Sequence, residues 1–186
     1  MSDPVATVAT MTSDPDQIRT DRLLLRRVGP GDVRSAIAVL SDPGTNRFNP
    51  AGPPSAEGAA KLLVEWQAHW ARDGIGYWAV ELPGTGEVIG FGGLRHHDLD
   101  GEPTFNLFYR FRPRHWGRGY APEMARAAID WASRSRPGRP VVIITDLDNK
   151  PSQRVAEKLG FAHVGDRTTV EGPVLVWRRQ EVAMVT

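Results

Sequence analysis

The chain has 186 residues, of which 40% are hydrophobic and 24% are charged, and its net charge at pH 7 is +1. This size suits one globular domain with its own core, and the hydrophobic content excludes collagen-like and wholly disordered chains. The absence of cysteine excludes disulfides, thiolate nucleophiles and zinc–thiolate sites. No apolar run is long enough to span a membrane, and the first residues lack a secretory signal, so we expect a cytoplasmic protein.

Residues 1–18 are rich in Ser, Thr, Asp and Pro without periodicity, and they predict a flexible leader before a single domain at 19–186. Apolar periodicity, turn residues and caps then predict the following elements in chain order. They are a strand at 20–27, helices at 32–40 and 55–72, strands at 77–81, 87–94 and 104–111, a helix at 120–134, a strand at 141–145, a helix at 151–159, and strands at 161–164 and 174–181. The proline-rich segment 46–54 and the polar segment 95–103 are predicted loops.

The element order β-α-α-β-β-β-α-β-α-β-β predicts an α/β (α+β) fold with a mixed, mostly antiparallel central sheet flanked by helices. In the second helix, Leu62, Leu63, Trp66 and Trp70 fall at helical spacing and should face the core. The order lacks the strict βαβ alternation of a dinucleotide-binding fold, and the chain contains no Gly-Lys-Ser/Thr of a P-loop. Both of those nucleotide-binding classes are therefore disfavoured.

The segment RFRPRHWGRGYAPE, residues 110–123, ends one predicted strand, alternates two glycines and begins a predicted helix. Glycine lets the backbone approach a ligand closely, and the amides at a helix start point in one direction, which favours phosphate. Arg112, Arg114 and Arg118 add positive charge around them. A tight turn with solvated arginines is the alternative interpretation, but the agreement of strand, glycines, helix and charge favours a pyrophosphate site.

Three segments together resemble one family. Arg114-x-x-Gly117-x-Gly119 resembles the acyl-CoA signature of the GNAT superfamily of N-acetyltransferases. The longer HWGRGYAPE, the downstream NKPSQRVAEKLGF and the opening TDRLLLRR resemble its Rim subgroup, the acetyltransferases of ribosomal-protein N-termini. These matches span residues 20–165, which is nearly the whole predicted domain.

The resemblance implies a GNAT-like sheet that splays between the strands at 104–111 and 141–145, with acetyl-CoA entering between them and no metal. It also implies direct acetyl transfer to a primary amine, on a protein N-terminus or a small molecule, in a ternary complex without a covalent enzyme intermediate. Two backbone positions would pair with the pantetheine arm, the glycine segment would bind the pyrophosphate, and one asparagine would hold the pantetheine from the other side. These implied cofactor-binding residues are Phe111, Arg112, Arg114, Trp116, Gly117, Arg118, Gly119, Tyr120, Ala121 and Asn149.

The implied catalytic residues are Asn149 and Ser152. Many members of the superfamily carry a proton-donating tyrosine seven residues after the asparagine, but that position is Ala156 in this chain. The Rim subgroup instead offers the serine three residues after the asparagine, which is Ser152. A hydroxyl can donate a hydrogen bond or a relayed proton to a departing thiolate. A helix-start serine that bonds its own backbone is an equally open interpretation.

The group that takes the proton of the amine is less defined. The position of a common family glutamate is occupied by Asn106, which cannot accept a proton. His96, His97 and Asp98 are candidate bases, because histidine titrates in the right range, and solvent is another route. By resemblance, the acceptor pocket would be built by the two early helices and the loop at 48–54. Its aromatic surface would come from Phe48, Trp66, Trp70 and Trp78, whose default role is core packing.

Two other functions stay open at this point. A non-catalytic acyl-CoA binding or sensing module would explain the missing tyrosine and glutamate. An arginine-mediated nucleic-acid binder would use the arginines that make up all but three of the 23 basic residues. Those residues are spread along the chain without a nucleic-acid motif, so nucleic acid is the least favoured partner. No membrane partner is expected, and a homodimer is left open.

Overall fold

The computed structural model describes residues 17–179, so the predicted leader at 1–16 and the predicted strand end at 180–181 lie outside the described residues. Within this range, eight strands form one sheet and four α-helices accompany it. The strands are β1 (Gln17–Arg19), β2 (Leu24–Arg27), β3 (Tyr77–Leu82), β4 (Glu87–Leu99), β5 (Glu102–Phe111), β6 (Val141–Asp146), β7 (Phe161–Thr169) and β8 (Gly172–Arg179). The helices are α1 (Val33–Leu40), α2 (Ala56–Asp73), α3 (Tyr120–Ser135) and α4 (Lys150–Lys158).

The sheet order is β1-β2-β3-β4-β5-β6-β8-β7, and every neighbouring pair is antiparallel except β5 with β6. This arrangement confirms the predicted fold class. The predicted order lacked one strand, because Gln17 and Ile18, which were assigned to the leader, pair with β2. The predicted first strand is also shorter, since the amide of Thr20 donates to the carbonyl of Leu23 and closes a turn between β1 and β2.

The predicted loop at 95–103 is wrong, because β4 and β5 continue through it as a long hairpin. The turn falls at Asp100 and Gly101, both of which have positive φ angles of 55° and 89°. Asp-Gly is a strong signal for a two-residue hairpin turn, and the exposure of residues 95–100 alternates as a half-buried strand requires. All of these side chains but one are polar, so the alternation is not visible as a hydrophobic pattern in the sequence. His96, His97 and Asp98 therefore lie in a strand.

The boundaries and the packing of helix α2 confirm the prediction. The Ser55 hydroxyl accepts from the amide of Gly58 at 3.1 Å and caps its start, and its apolar stripe faces the core as predicted. Trp66, Trp70 and Trp78 are at most 4% exposed, and they pack against neighbouring aromatic rings. Their rings belong to the core, so the default role in core packing holds and these three tryptophans do not form acceptor surface.

Gly92 lets α3 pack closely on β4. A Cβ atom there would contact Met124 Cε and lie 2.8 Å from the carbonyl oxygen of Phe108, which belongs to the paired backbone of β5. We expect Gly92→Ala to lower the free energy of unfolding by about 2 kcal/mol, measured by urea denaturation. Gly84→Ala is the matched control, since nothing lies within 4 Å of its Cβ position. Equal stability of both variants would contradict this packing.

Candidate active site

A cavity opens where β5 and β6 diverge. These strands are in parallel register only at Phe105 with Val141 and at Asn106 with Val142. The cavity has a volume of about 620 Å³, which is within the range of small-molecule and cofactor sites. Residues 106–111 of β5 all line it. Because successive side chains of a strand point to opposite faces, the cavity follows the strand edge and reaches both faces of the sheet.

The open edge of β5 exposes backbone groups to this cavity. The amide of Phe105 donates to Pro140 on the β6 side, whereas the amide of Arg112 donates to Ile89 of β4. Backbone groups of alternate residues share a direction, so Leu107 and Tyr109 direct theirs to the divergence. The predicted pairing of Arg112 with a pantetheine arm needs correction, because its amide is already engaged within the sheet.

The glycine segment presents unpaired amides at the start of α3. None of the amides of residues 117–121 donates to another backbone group in the described chain. Gly117 and Gly119 have φ angles of +73° and +78°, a left-handed conformation that glycine adopts without strain. Gly117, Gly119, Tyr120 and Ala121 all line the cavity. These amides, with the helix dipole, can bind an anion of the size of a diphosphate.

Glu123, in the first turn of α3, is held by the turn that precedes β2. Its carboxylate accepts from the Thr20 hydroxyl at 2.6 Å and from the Nε of Arg22 at 2.7 Å, while Arg22 Nη1 donates to the carbonyl of Arg118 at 2.9 Å. Burial alone would raise the pKa of Glu123, but these hydrogen bonds outweigh it and hold the pKa below its usual value. The charge of Arg22 therefore offsets a carboxylate that would otherwise repel an anion at this helix start.

The three arginines singled out in the sequence do not line the cavity of the described structure. Arg112 and Arg114 form ion pairs with Glu87, which also lies 3.1 Å from His115 Nε2. The contact with Arg114 lowers the pKa of Glu87. Arg118 contributes its backbone carbonyl to Arg22. Phe111 and Trp116 do line the cavity, and the indole of Trp116 donates to the carbonyl of Phe111 at 2.7 Å.

The predicted catalytic pair lies at the start of α4, with a third residue opposite it. Asn149 Oδ1 accepts from the amide of Ser152 at 3.1 Å and caps the helix. The Ser152 hydroxyl lies 2.7 Å from the hydroxyl of Tyr109 on β5, rather than bonding its own backbone. Burial raises the pKa of Tyr109 to about 12. The sequence analysis missed Tyr109, although the period of two in β5 places it on one face with Leu107 and Phe111.

The opposite face of β5 supplies another part of the cavity wall. Asn106 and Arg110 line it together with Phe48 of the α1–α2 connection. The Oδ1 of Asn106 is buried and has no hydrogen-bond partner among the described residues. Arg110 donates to Asn46 at 2.7 Å, which ties this connection to the sheet.

The predicted bases do not reach this cavity. None of His96, His97 and Asp98 lines it. His96 instead contacts the guanidinium of Arg139 and the ring of Phe105 near the hairpin end of the sheet. Between residues 17 and 179, no group of three or more His, Asp or Glu side chains could hold a metal ion. No helix in the same range is both long and apolar enough to cross a membrane.

Comparison with known proteins agrees with this geometry. A family model described as "Acetyltransferase (GNAT) domain" matches residues 22–162. The chain is 29% identical over 163 residues to the uncharacterized protein YkkB of Bacillus subtilis. The alignment covers 87% of this chain and 94% of that protein. It superposes on the crystal structure of an acetyltransferase from Agrobacterium tumefaciens with a TM-score of 0.76 and 29% identity, covering 89% of this chain and 94% of that one.

A third similarity concerns the fold alone. The structure of RimL, a ribosomal L7/L12 alpha-N-protein acetyltransferase in complex with coenzyme A, matches with a TM-score of 0.72 and 19% identity, covering 88% of this chain and 97% of that one. The divergent strands, the amides at the helix start and the family match all point to an acyltransferase. The chain belongs to the GNAT acetyltransferase family and is an N-acetyltransferase. The alternative of a non-catalytic acyl-CoA module is not favoured.

Proposed function

We propose that this protein transfers the acetyl group of acetyl-CoA directly to a primary amine within a ternary complex. The observation that carries the proposal is the cavity between β5 and β6, which joins the free amides of residues 117–121 to the Tyr109–Ser152 pair. The amides suit a diphosphate, and the open backbone groups of Leu107 and Tyr109 suit the amide groups of a pantetheine arm. Asn149 lines the cavity at the start of α4.

In the proposed reaction, the amine nitrogen bonds to the acetyl carbon as the carbon–sulfur bond breaks and its electron pair leaves with sulfur. The proton lost by the nitrogen balances the proton gained by the thiolate. Ser152 can donate a hydrogen bond to the sulfur while its oxygen accepts a hydrogen bond from Tyr109, because either hydroxyl of the pair can be the donor. If Ser152 passes its proton to the sulfur, the proton that the amine releases to solvent restores the hydroxyl pair. Free backbone amides of β5 can stabilise the charge that develops on the carbonyl oxygen.

We further propose that the acceptor is of the kind used by the Rim subgroup or a small primary amine. Support for the subgroup comes from the three motifs that resemble it and from the fold shared with RimL. No carboxylate replaces the family glutamate at Asn106, so the amine must be bound neutral or lose its proton to solvent. The buried Oδ1 of Asn106 is able to accept a hydrogen bond from an amine, which orients the nitrogen without deprotonating it.

The test combines a binding measurement with an activity measurement. At one hundred times its Kd, acetyl-CoA should stabilise the protein by about 2.7 kcal/mol, which raises the Tm by roughly 5–10 °C for a chain of this size. Thiol release should then appear with one or more members of a panel of small primary amines and N-terminal peptides. Stabilisation without thiol release from any amine would contradict catalysis at this cavity, and an unchanged Tm would contradict acetyl-CoA binding.

A further inference from the structure

Arg110 lines the cavity, and part of the hydrogen-bonding capacity of its guanidinium is unused. It follows Tyr109 in β5, so its side chain lies on the other face of the strand. Its Nη1 donates to Asn46 Oδ1 at 2.7 Å, and its guanidinium carbon lies 5.6 Å from the centre of the Phe108 ring. Neither Nε nor Nη2 has a hydrogen-bond partner among the described residues, and neither is sealed from solvent. These two nitrogens form the edge of the fork that grips a carboxylate with two parallel hydrogen bonds.

No described carboxylate forms an ion pair with Arg110. Other partly buried arginines are compensated, since Arg26 pairs with Asp32 and Glu81. For Arg110, burial lowers the pKa without a carboxylate to oppose it. A charged group that is removed from water without a counter-ion is costly, and the cost falls when an anion binds.

The rest of the cavity wall favours an anion as well. Its lining includes four arginine or lysine side chains and two carboxylates, and neither carboxylate forms an ion pair with these arginine and lysine residues. One carboxylate, Asp146, accepts from the amide of Asp148, and the other, Glu171, lies exposed at the β7–β8 turn. The four arginine and lysine residues are Arg47, Arg110, Arg154 and Lys158.

We propose that Arg110 binds a carboxylate of the acetyl acceptor, so that the substrate is an amine that also carries a carboxylate, such as an amino acid. This inference rests on the proposed function. It places the amine at the strand edge, near the Tyr109–Ser152 pair, and the carboxylate on the face of the sheet that Asn46 and Phe108 share with Arg110.

The experiment compares acceptors that differ only in this group. For several amino acids, we expect kcat/KM to be at least about tenfold higher for the free acid than for its primary amide, as is typical for a hydrogen bond to a charged group. Arg110→Gln should reduce the ratio of acid to amide to about one, and Arg110→Lys should retain part of it. Arg95→Gln is the control, because Arg95 lies 5.3 Å from the Tyr77 ring and does not line the cavity.

Several results would overturn the inference. They are equal turnover of acid and amide, or a preference for the acid that survives Arg110→Gln. A tenfold loss of acetyl-CoA affinity in Arg110→Gln would also overturn it, because the guanidinium would then serve the cofactor or only anchor the α1–α2 connection. If no amine releases thiol, the proposed function is contradicted, and the role of Arg110 is then tested by binding alone. Calorimetric titration of N-acetylated acids and their amides into the protein with CoA then decides: tighter binding of the acids supports the role of Arg110, and equal binding contradicts it.

Discussion

Gly117→Glu should weaken acetyl-CoA binding by at least about 100-fold, which corresponds to about 2.8 kcal/mol. The side chain would place bulk and negative charge beside the unpaired amides of residues 117–121, where we propose that the diphosphate binds. The left-handed φ of +73° adds strain for any residue with a Cβ, of the order of 1–2 kcal/mol. The Cβ position has nothing within 4 Å, so the variant should fold. Calorimetric titration with acetyl-CoA measures the effect.

Gly138→Glu is the matched control for this substitution. Gly138 has a φ of +79°, nothing lies within 4 Å of its Cβ position, and it follows the other end of α3. The two variants therefore carry the same new charge and nearly the same backbone strain, at opposite ends of one helix. We expect Gly138→Glu to bind acetyl-CoA with the affinity of the parent. Unchanged affinity in Gly117→Glu would show that the diphosphate lies elsewhere.

Ser152→Ala should lower kcat by about 100-fold while the Kd of acetyl-CoA changes by less than about threefold. The substitution removes the hydroxyl that we propose donates to the departing thiolate, but it leaves the amide of Ser152 bonded to Asn149. Single-turnover kinetics separate the chemical step from binding. Ser133→Ala is the control, because that hydroxyl bonds only the carbonyl of Ile129 within α3. An unaffected kcat would make Ser152 a structural residue of the α4 start.

Tyr109→Phe tests whether the hydroxyl of Tyr109 assists the proposed proton donation by Ser152. It keeps the ring and removes the hydroxyl, so we expect kcat to fall by about tenfold. If the two hydroxyls act as one unit, the double variant should be no slower than Ser152→Ala alone. Burial raises the pKa of Tyr109 to about 12, so the phenol stays protonated and the parent should show no inflection from it below pH 10. Additive losses in the double variant would mean that the two hydroxyls act independently.

Local signals in the sequence predicted the segment of strand, glycines and helix start that lines the candidate site. The strand end, the two glycines and the helix start at 117–121 lie within a few residues of one another, and their backbone conformations follow from residue type. The contact between Tyr109 and Ser152 joins positions 43 apart, and the contact between Arg22 and Glu123 joins positions 101 apart. Such pairs depend on how the sheet diverges and on which residue of β5 faces α4, which composition and spacing do not determine. The hairpin at 95–103 was missed because polar side chains masked its alternation.

The contacts of Glu123 with Thr20 and Arg22 connect the helix start that carries the unpaired amides of residues 117–121 to the turn that joins the first two strands of the sheet. When two events use the same local structure, each favours the other by an equal free energy. The proposed binding of a diphosphate at the helix start and the docking of the β1–β2 turn should therefore favour each other, since Arg22 also donates to the carbonyl of Arg118 within residues 117–121. Hydrogen exchange of the backbone amides in β1, the edge strand of this sheet, should therefore slow when the coenzyme is added. These amides would then report from a distance on whether the coenzyme is bound.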